Sequence, residues 1–350
     1  MAKIVVAMSG GVDSSTTAAI LKSEGHDVVG VTLVLCNQQP NQISQNVIDA
    51  QSIAAYIQIP HHTINCEASF QRKVIDYFIN KYINGETPLP CAVCNRDIKL
   101  ATLLEFAKSI GATSIATGHY ARKIIKDGEN QLHTAIDLSK DQSYFLFSIT
   151  PEQLKYVTFP LGSIKKTRTR ALAIEYGLHV ADKKESQDIC FVPNNDYKTL
   201  IQKHIPQSFC DGNFVLSDGT IIGKHRGISN YTIGQRRGIG IAYNQPLYVT
   251  KIDSIKNEVT VGIQSDLKAR SVMVTGINWL TANPPAENIK FQAHVKLRST
   301  HKGSVGIVTP LQNGKLSIHI EEEYLGVTPG QACVIYDDSR VLGGGWIAKE

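Results

Sequence analysis

Apolar and polar positions follow two different rhythms along this chain, and the change between them divides it. Up to about Asn195, short apolar runs alternate with segments in which apolar residues return every three or four positions. Ile4–Met8, Val28–Leu35, His61–Cys66 and Ser114–Thr117 read as strands. Ser14–Ser23, Ile43–Tyr56 and the amphipathic stretch Ala68–Ile83 read as helices. Ile98, Ala101, Leu104, Ala107 and Ile110 share one face of a further helix, which Gly111 stops. Strands alternating with helices predict a mostly parallel, doubly wound sheet covered on both faces. After about Leu200, Gly, Pro, Asn and Asp punctuate short alternating runs such as N-F-V-L-S-D-G-T-I-I-G and Q-P-L-Y-V-T-K-I-D, which predict antiparallel strands and hairpins. Ala282–Ala286 is a turn or linker. The pattern therefore predicts an α/β domain over 1–200, a small central module over 201–266 and a C-terminal antiparallel β-barrel over 267–350.

Composition narrows the class. The 36 Lys and Arg against 31 Asp and Glu leave a charge of +5, which permits a nucleic-acid partner without requiring one. K-I-V-V-A-M after Met1 is too short for a signal-peptide core, and no apolar run approaches the ~20 residues of a membrane helix. A cytoplasmic protein with no membrane association is expected. The 7 cysteines, at positions 36, 66, 91, 94, 190, 210 and 333, are odd in number and irregular in spacing, unlike a secreted disulfide framework. In a reducing compartment, a close pair points to metal binding or catalysis.

The first predicted strand runs into S-G-G-V-D-S-S, Ser9 to Ser15, and a helix follows at once. Two glycines let backbone approach a ligand, and the free N–H groups of a helix start receive anions. Ser9, Ser14 and Ser15 add hydroxyl donors, while Asp13 is out of place in a phosphate cradle unless it holds a cation or orients the turn. The lysine of G-x-x-x-x-G-K-[ST] is absent. The loop instead resembles S-G-G-x-D-S of the PP-loop ATP pyrophosphatases, which cleave ATP between its α and β phosphates and adenylate a carbonyl oxygen.

T-P-L-P-C-A-V-C-N places Cys91 and Cys94 two residues apart. A closed zinc site needs four ligands, but there is no second C-x-x-C, and His61, His62 and His119 are too isolated to complete a set. A redox pair remains open, although no large aromatic precedes it. With Asn95 as a helix N-cap, and Arg96 and Lys99 nearby, Cys94 is expected to be biased toward thiolate and is the better nucleophile. Cys36, Cys66, Cys210 and Cys333 read as core residues in apolar runs. Local context leaves Cys190, in K-K-E-S-Q-D-I-C-F-V-P, open between filler and function.

Taken together, S-G-G-V-D-S-S, T-P-L-P-C-x-x-C-N, A-T-G-H-Y-A-R, K-D-Q-S-Y-F-L, E-S-Q-D-I-C-F and Y-T-I-G-Q-R-R-G resemble the MnmA-type tRNA 2-thiouridylases. The likeness continues in order to P-G-Q-A at 329–332 and L-G-G-G-W at 342–346, covering essentially the whole chain. The resemblance implies ATP-dependent replacement of the 2-oxygen of the anticodon wobble uridine by sulfur. Sulfur would arrive as a cysteine persulfide from a sulfur-relay protein or cysteine desulfurase. An unreactive uracil carbonyl needs both activation and a soft nucleophile.

Carried over by position, Cys94 is the nucleophile and Cys190 the persulfide carrier, with a transient disulfide between them. Ala7, Met8, Ser9, Gly10, Gly11, Val12, Asp13 and Ser14 form the nucleotide loop for ATP with Mg2+. Leu33, where relatives often have methionine, and Gly118 lie beside the nucleotide. The resemblance places tRNA anticodon-arm contacts at Leu89, Pro90, Cys91, His119, Lys140, Asp141, Gln142, Arg298, Ser299 and Gln331, and implies a monomer. Many relatives have Arg-Tyr where Arg298 and Ser299 stand. Many also carry aspartate where this chain has Cys91, so Cys91 is a candidate for proton handling. It equally makes Cys91, Cys94 and Cys190 an alternative iron–sulfur ligand set. The rival readings are a PP-loop synthetase acting on another carbonyl, and a non-catalytic RNA-binding protein with a structural metal.

K-K-T-R-T-R, Lys165 to Arg170, reads either as a phosphate-binding run or as a solvated helix face. Tyr231–Gly238 combines an aromatic with glycines and two arginines, a composition that suits RNA. Lys296, Arg298, His301 and Lys302 add positive charge to the predicted barrel. Trp279 and Trp346 read as packing residues.

Overall fold

The computed structural model describes residues 1–36, 43–183, 189–192 and 196–349. The Glu185–Asp188 part of the motif around Cys190 lies outside them. In chain order, the N-terminal domain comprises β1 (Lys3–Ala7), α1 (Val12–Ser23), β2 (Asp27–Val34), α2 (Gln45–Tyr56), β3 (His61–Asn65), α3 (Glu67–Phe70) and α4 (Asp76–Ile83). It continues with α5 (Pro90–Cys94), α6 (Ala101–Ser109), β4 (Ser114–Ala116), β5 (Ala121–Lys126), β6 (Glu129–Thr134), α7 (Pro151–Tyr156), β7 (Val157–Thr158) and α8 (Lys166–Glu175).

Five strands form a parallel sheet in the order β3-β2-β1-β4-β7. Successive side chains of β1 bury themselves on opposite faces. Ile4 and Val6 join α1, α2 and the segment after α8, whereas Val5 joins Leu103, Leu104 and Ala107 of α6. Both faces are thus covered, as the alternating pattern predicts. The order reverses direction between β1 and β4, so the loops leaving their carboxyl ends diverge around a crevice suited to a ligand.

The expected helix start after Cys94 is corrected. A turn of wider π geometry, Asn95–Leu100, joins α5 to α6, so the helix already begins at Pro90 with Leu89 as N-cap. Proline presets the first-turn φ, and the apolar face continues through Ala92, Val93 and Ile98. Asn95 is buried inside the helix, its Nδ2 donating to the Phe145 carbonyl at 3.1 Å. A second π turn, Gln71–Ile75, likewise joins α3 to α4.

The β5–β6 hairpin was not apparent from the pattern. Asp127 and Gly128 take φ values of 52° and 75° in its tight turn. It leaves the parallel sheet and pairs with the last strand of the chain.

The central module contains α9 (Tyr197–His204), β8 (Asp211–Val215), β9 (Ile221–Arg226), β10 (Tyr248–Asp253) and β11 (Glu258–Gly262), the sheet ordered β10-β11-β8-β9. Tyr231 is buried in its core against Phe214 and His225, so the aromatic of Tyr231–Gly238 is not a free stacking platform. Arg236 and Arg237 remain exposed.

The C-terminal domain comprises β12 (Lys268–Trp279), β13 (Phe291–Lys296), β14 (Ser304–Leu311), β15 (Lys315–Leu325), β16 (Ala332–Asp337) and β17 (Arg340–Ile347). These strands run antiparallel in the order β12-β15-β14-β13-β16-β17, and β12 pairs with β17 to close the barrel. Val274, Val295, Ile318 and Ile335 fill it. Trp346 packs edge-on against Phe147 and is tilted against Tyr77, joining the barrel to the α/β domain. Among the described residues no helix is long and apolar enough to cross a membrane.

Candidate active site

The loop after β1 is built around its own hydroxyls. Ser14 Oγ accepts from Ser9 N at 3.0 Å, lies 3.2 Å from Ser9 Oγ and donates to Gly11 O. Gly10 has φ +69°, and a Cβ there would come within 2.3 Å of the Asn46 carbonyl, so glycine is required on two counts. Gly118, on the loop after β4, presses on the first turn of α1. A Cβ at that position would stand 2.9 Å from Asp13 C and Ser14 N. The amides opening α1 have no partner within the helix and form a place for phosphate oxygens.

The place of Asp13 is resolved by contacts that the sequence does not reveal. Lys166 Nζ reaches both carboxylate oxygens at 2.7 Å, and the Tyr120 hydroxyl donates to Oδ1 at 2.9 Å. The Tyr120 oxygen is also 2.8 Å from Thr169 Oγ1. Lys166 is buried, which corrects its reading as part of a phosphate-binding run or a solvated face: the helix start of α8 packs directly on α1. Of its neighbours, Arg168 pairs with Glu175 and Arg170 Nη1 donates to the Ala181 carbonyl. A second lysine, Lys183, donates to the Gly10 carbonyl at 3.0 Å and to Asp49 at 2.6 Å. Lys166 was misread and Lys183 missed because their partners lie far away in sequence.

Cys94 lies in an apolar cluster with Phe70, Phe78, Val93, Ile98 and Phe191, against which Leu33 of β2 also packs. Phe191 meets Phe70 and Phe78 edge-on, with ring centroids at 5.6 and 5.2 Å. These contacts anchor the segment carrying Cys190 beside the helix carrying Cys94. Cys190 and Cys91 are both exposed.

Burial pushes the Cys94 thiol up to about 12, against the downward pull of Lys99. Protein packed around Cys91 and Cys190 raises both of them, again opposed by Lys99. Lys99 is thus the cation common to all three thiols, and among the described residues it makes no ion pair or hydrogen bond. The expected resting thiolate at Cys94 is corrected. This sulfur sits at the end of α5 rather than at a helix start, and Asp97 occupies the Arg96 guanidinium at 2.7 and 2.8 Å.

Cys66 and Cys333 are buried as expected, but Cys36 is only half-buried and Cys210 is exposed. Cys210 precedes β8 at the surface, and its neighbour Phe209 takes the packing. Among the described residues, no group of three His, Cys, Asp or Glu side chains is gathered closely enough to hold a metal ion. Cys91, Cys94 and Cys190 therefore do not stand as an assembled iron–sulfur ligand set.

The residues that the resemblance assigns to tRNA occupy several environments. Leu89 and Pro90 are buried. Gln331 Nε2 donates to the Thr87 and Pro88 carbonyls at 3.1 and 3.2 Å, so the barrel holds the turn that presents Cys91. His119 Nδ1 is 2.9 Å from Thr117 Oγ1. Desolvation and then Lys99 depress its imidazole to about 3, so the ring is neutral. Asp141 accepts from Ala135 N and Ser143 Oγ, and Gln142 Oε1 accepts from Tyr120 N. Arg298 Nη2 donates to the Gly326 carbonyl and Thr328 Oγ1, while Ser299 is exposed and Lys140 half-exposed.

Three family models match consecutive parts of the chain. They are a tRNA methyl transferase HUP domain over residues 2–194, a tRNA methyl transferase PRC-barrel domain over 198–263 and an aminomethyltransferase beta-barrel domain over 269–347. A tRNA-specific 2-thiouridylase MnmA of Rickettsia felis is 48% identical over 99% of this chain and 97% of its own length. The protein of the same name from Rickettsia typhi is 49% identical over 100% of this chain and 99% of its own length.

Proposed function

The chain belongs to the tRNA-specific 2-thiouridylase family, and we infer that it replaces the 2-oxygen of a wobble uridine in tRNA with sulfur, using ATP. It is a transferase. The model descriptions speak of methyl transfer, but the full-length relatives are thiouridylases. A nucleotide loop beside paired thiols suits the latter chemistry.

The helix-start amides and the hydroxyls of Ser9 and Ser14 receive the phosphates of ATP, and magnesium accompanies the nucleotide. Asp13 is the loop's carboxylate, and Lys166 already holds both of its oxygens. The uracil 2-oxygen attacks the α-phosphorus and pyrophosphate leaves. Cys94 attacks the inner sulfur of a persulfide on Cys190, and the terminal sulfur departs as hydrosulfide. That sulfur adds to C2, AMP leaves, and a Cys94–Cys190 disulfide remains for an external dithiol to reduce. Lys99 stabilises the thiolates formed on the way, and neutral His119 contacts the substrate RNA.

The observation that carries this reading is that Ile189 and Phe191, which flank Cys190, pack in the same apolar cluster as Cys94, and that the charge of Lys99 acts on both thiols. The surrounding proposals are a cytoplasmic monomer, the anticodon arm of tRNA as substrate, and a sulfur-relay protein or cysteine desulfurase as donor. The test is incubation with unmodified tRNA, Mg-ATP and a persulfide donor, followed by nucleoside mass spectrometry. Wild type yields 2-thiouridine and Cys94→Ser none; equal product from Cys94→Ser overturns the nucleophile assignment.

A further inference from the structure

We propose that Cys91 is a resolving thiol, which takes over the disulfide left on Cys94 and so returns Cys190 to the free state for the next sulfur. The inference rests on the persulfide reading above and adds a step to it.

Cys91 and Cys94 occupy the first and last turns of α5, three positions apart. Residues at that spacing share a helix face, with Cβ atoms about 5–6 Å apart. A disulfide needs roughly 3.5–4.5 Å between Cβ atoms, so the first turn must tighten by about 1.5 Å. That turn is the part of the helix least tied by internal hydrogen bonds, since its opening amides have no partner within the helix.

Exposure marks which sulfurs a reductant can reach: Cys91 and Cys190 are both exposed, so what transfer to Cys91 gains is the release of Cys190. Cys94 is 5% exposed, whereas Cys91 stands open to solvent. In a Cys94–Cys190 disulfide the Cys94 sulfur is buried, and attack by an external reductant must fall on the carrier cysteine. Transfer to Cys91 places an accessible sulfur on a short surface turn and frees Cys190. The attacking thiol is held at high effective concentration by its own helix. Lys99, whose positive charge favours the ionised form of all three thiols, stabilises whichever thiolate forms.

The step balances without an oxidant. Cys91–SH and Cys94–S–S–Cys190 become Cys91–S–S–Cys94 and Cys190–SH. One S–S bond breaks, one forms, and the proton of Cys91 ends on Cys190. A dithiol reductant of the thioredoxin chemical class then reduces the Cys91–Cys94 bond.

The experiment uses the full-length protein loaded with persulfide, given Mg-ATP and unmodified tRNA without reductant. After one turnover it is acid-quenched and alkylated, and its disulfides are mapped by non-reducing peptide mass spectrometry per mole of thiouridine formed. Wild type is expected to hold mainly Cys91–Cys94 with Cys190 alkylated, and Cys91→Ser to hold Cys94–Cys190. In Cys91→Ser, return of free Cys190 on adding a dithiol should slow roughly tenfold or more. Thiouridine accompanied by a persistent Cys94–Cys190 bond in wild type overturns the relay and leaves the persulfide reading standing. Thiouridine with no disulfide among these cysteines overturns both.

Discussion

The two halves of the active site are prepared to different degrees. Around the nucleotide loop nearly every polar group is engaged: Ser9 with Ser14, Asp13 with Lys166 and Tyr120, and Lys183 with Gly10 and Asp49. Around the cysteines the opposite holds. Lys99 is unpaired among the described residues, and all three thiols titrate above their ordinary range. The nucleotide loop is tied by hydrogen bonds throughout, while burial favours the neutral thiol form at all three cysteines. In the proposed reaction such an arrangement lets activation of the base precede release of sulfur, so that hydrosulfide is not lost to solvent.

The sharpest way to break this contrast is Lys166→Ala. It leaves the half-buried Asp13 carboxylate with the Tyr120 hydroxyl alone, at a cost of about 1–3 kcal/mol. The expected result is a lowered melting temperature with loss of ATP binding by calorimetry. The double variant Lys166→Ala with Asp13→Ala should recover part of the stability without recovering ATP binding.

Phe191→Ala attacks the other half by removing the aromatic anchor of the Cys190 segment. Thiouridine formation should fall by roughly 10- to 100-fold from lost positioning, with ATP binding unchanged and Phe191→Leu largely restored. Unchanged thiolation would show that the anchor is dispensable.

Lys99→Ala should lower thiolation about tenfold at neutral pH and move the alkaline rise of the rate upward, because the thiolates lose their cation. Lys99→Arg should restore most of both. In the resting enzyme, alkylation of Cys94 should be slower than that of Cys91 or Cys190 and should rise only as pH approaches 12. Its raised pKa also contributes stability that is present below the ordinary thiol value of 9.0 and is lost as pH climbs toward 12.

The smallest effect concerns His119. Its pKa falls from the ordinary 6.5 to about 3, so the unfolded chain binds a proton that the folded one refuses. Stability linked to the neutral ring is full above 6.5 and is lost as pH falls toward 3. His119→Gln should therefore lose less melting temperature than wild type between pH 7 and pH 4, read by calorimetry.

What was legible in the sequence was local. S-G-G-V-D-S reads as strand, turn and helix because glycine, hydroxyl and helix-start chemistry are contiguous, and the parallel sheet follows from alternating periods. The cysteine partnership was legible only through resemblance, since nothing near Cys190 names Cys94. Lys166, Lys183 and Phe191 stayed hidden because their roles depend on segments brought together by folding. A buried lysine and a solvated one look alike in K-K-T-R-T-R. The start of α5 was misplaced because Asn95 looks like a cap, although Pro90 sets the first turn earlier. Arg298 and Gln331 stood out as RNA contacts, yet in this structure they donate inward, to the Gly326–Thr328 segment and to the turn before Cys91.

The pairing of β6 with β17, with Val341 opposite Leu132, also constrains manufacture. On the ribosome the hairpin emerges long before its neighbour, leaving the outer edge of β6 bare while the central module and most of the barrel are still being translated. A nascent chain can complete its nucleotide sheet early, but this seam between first and last domains closes only when the final strand arrives. Truncation before Arg340 should thus leave a chain with a sound nucleotide sheet and a sticky flank, a substrate for chaperones rather than a smaller enzyme.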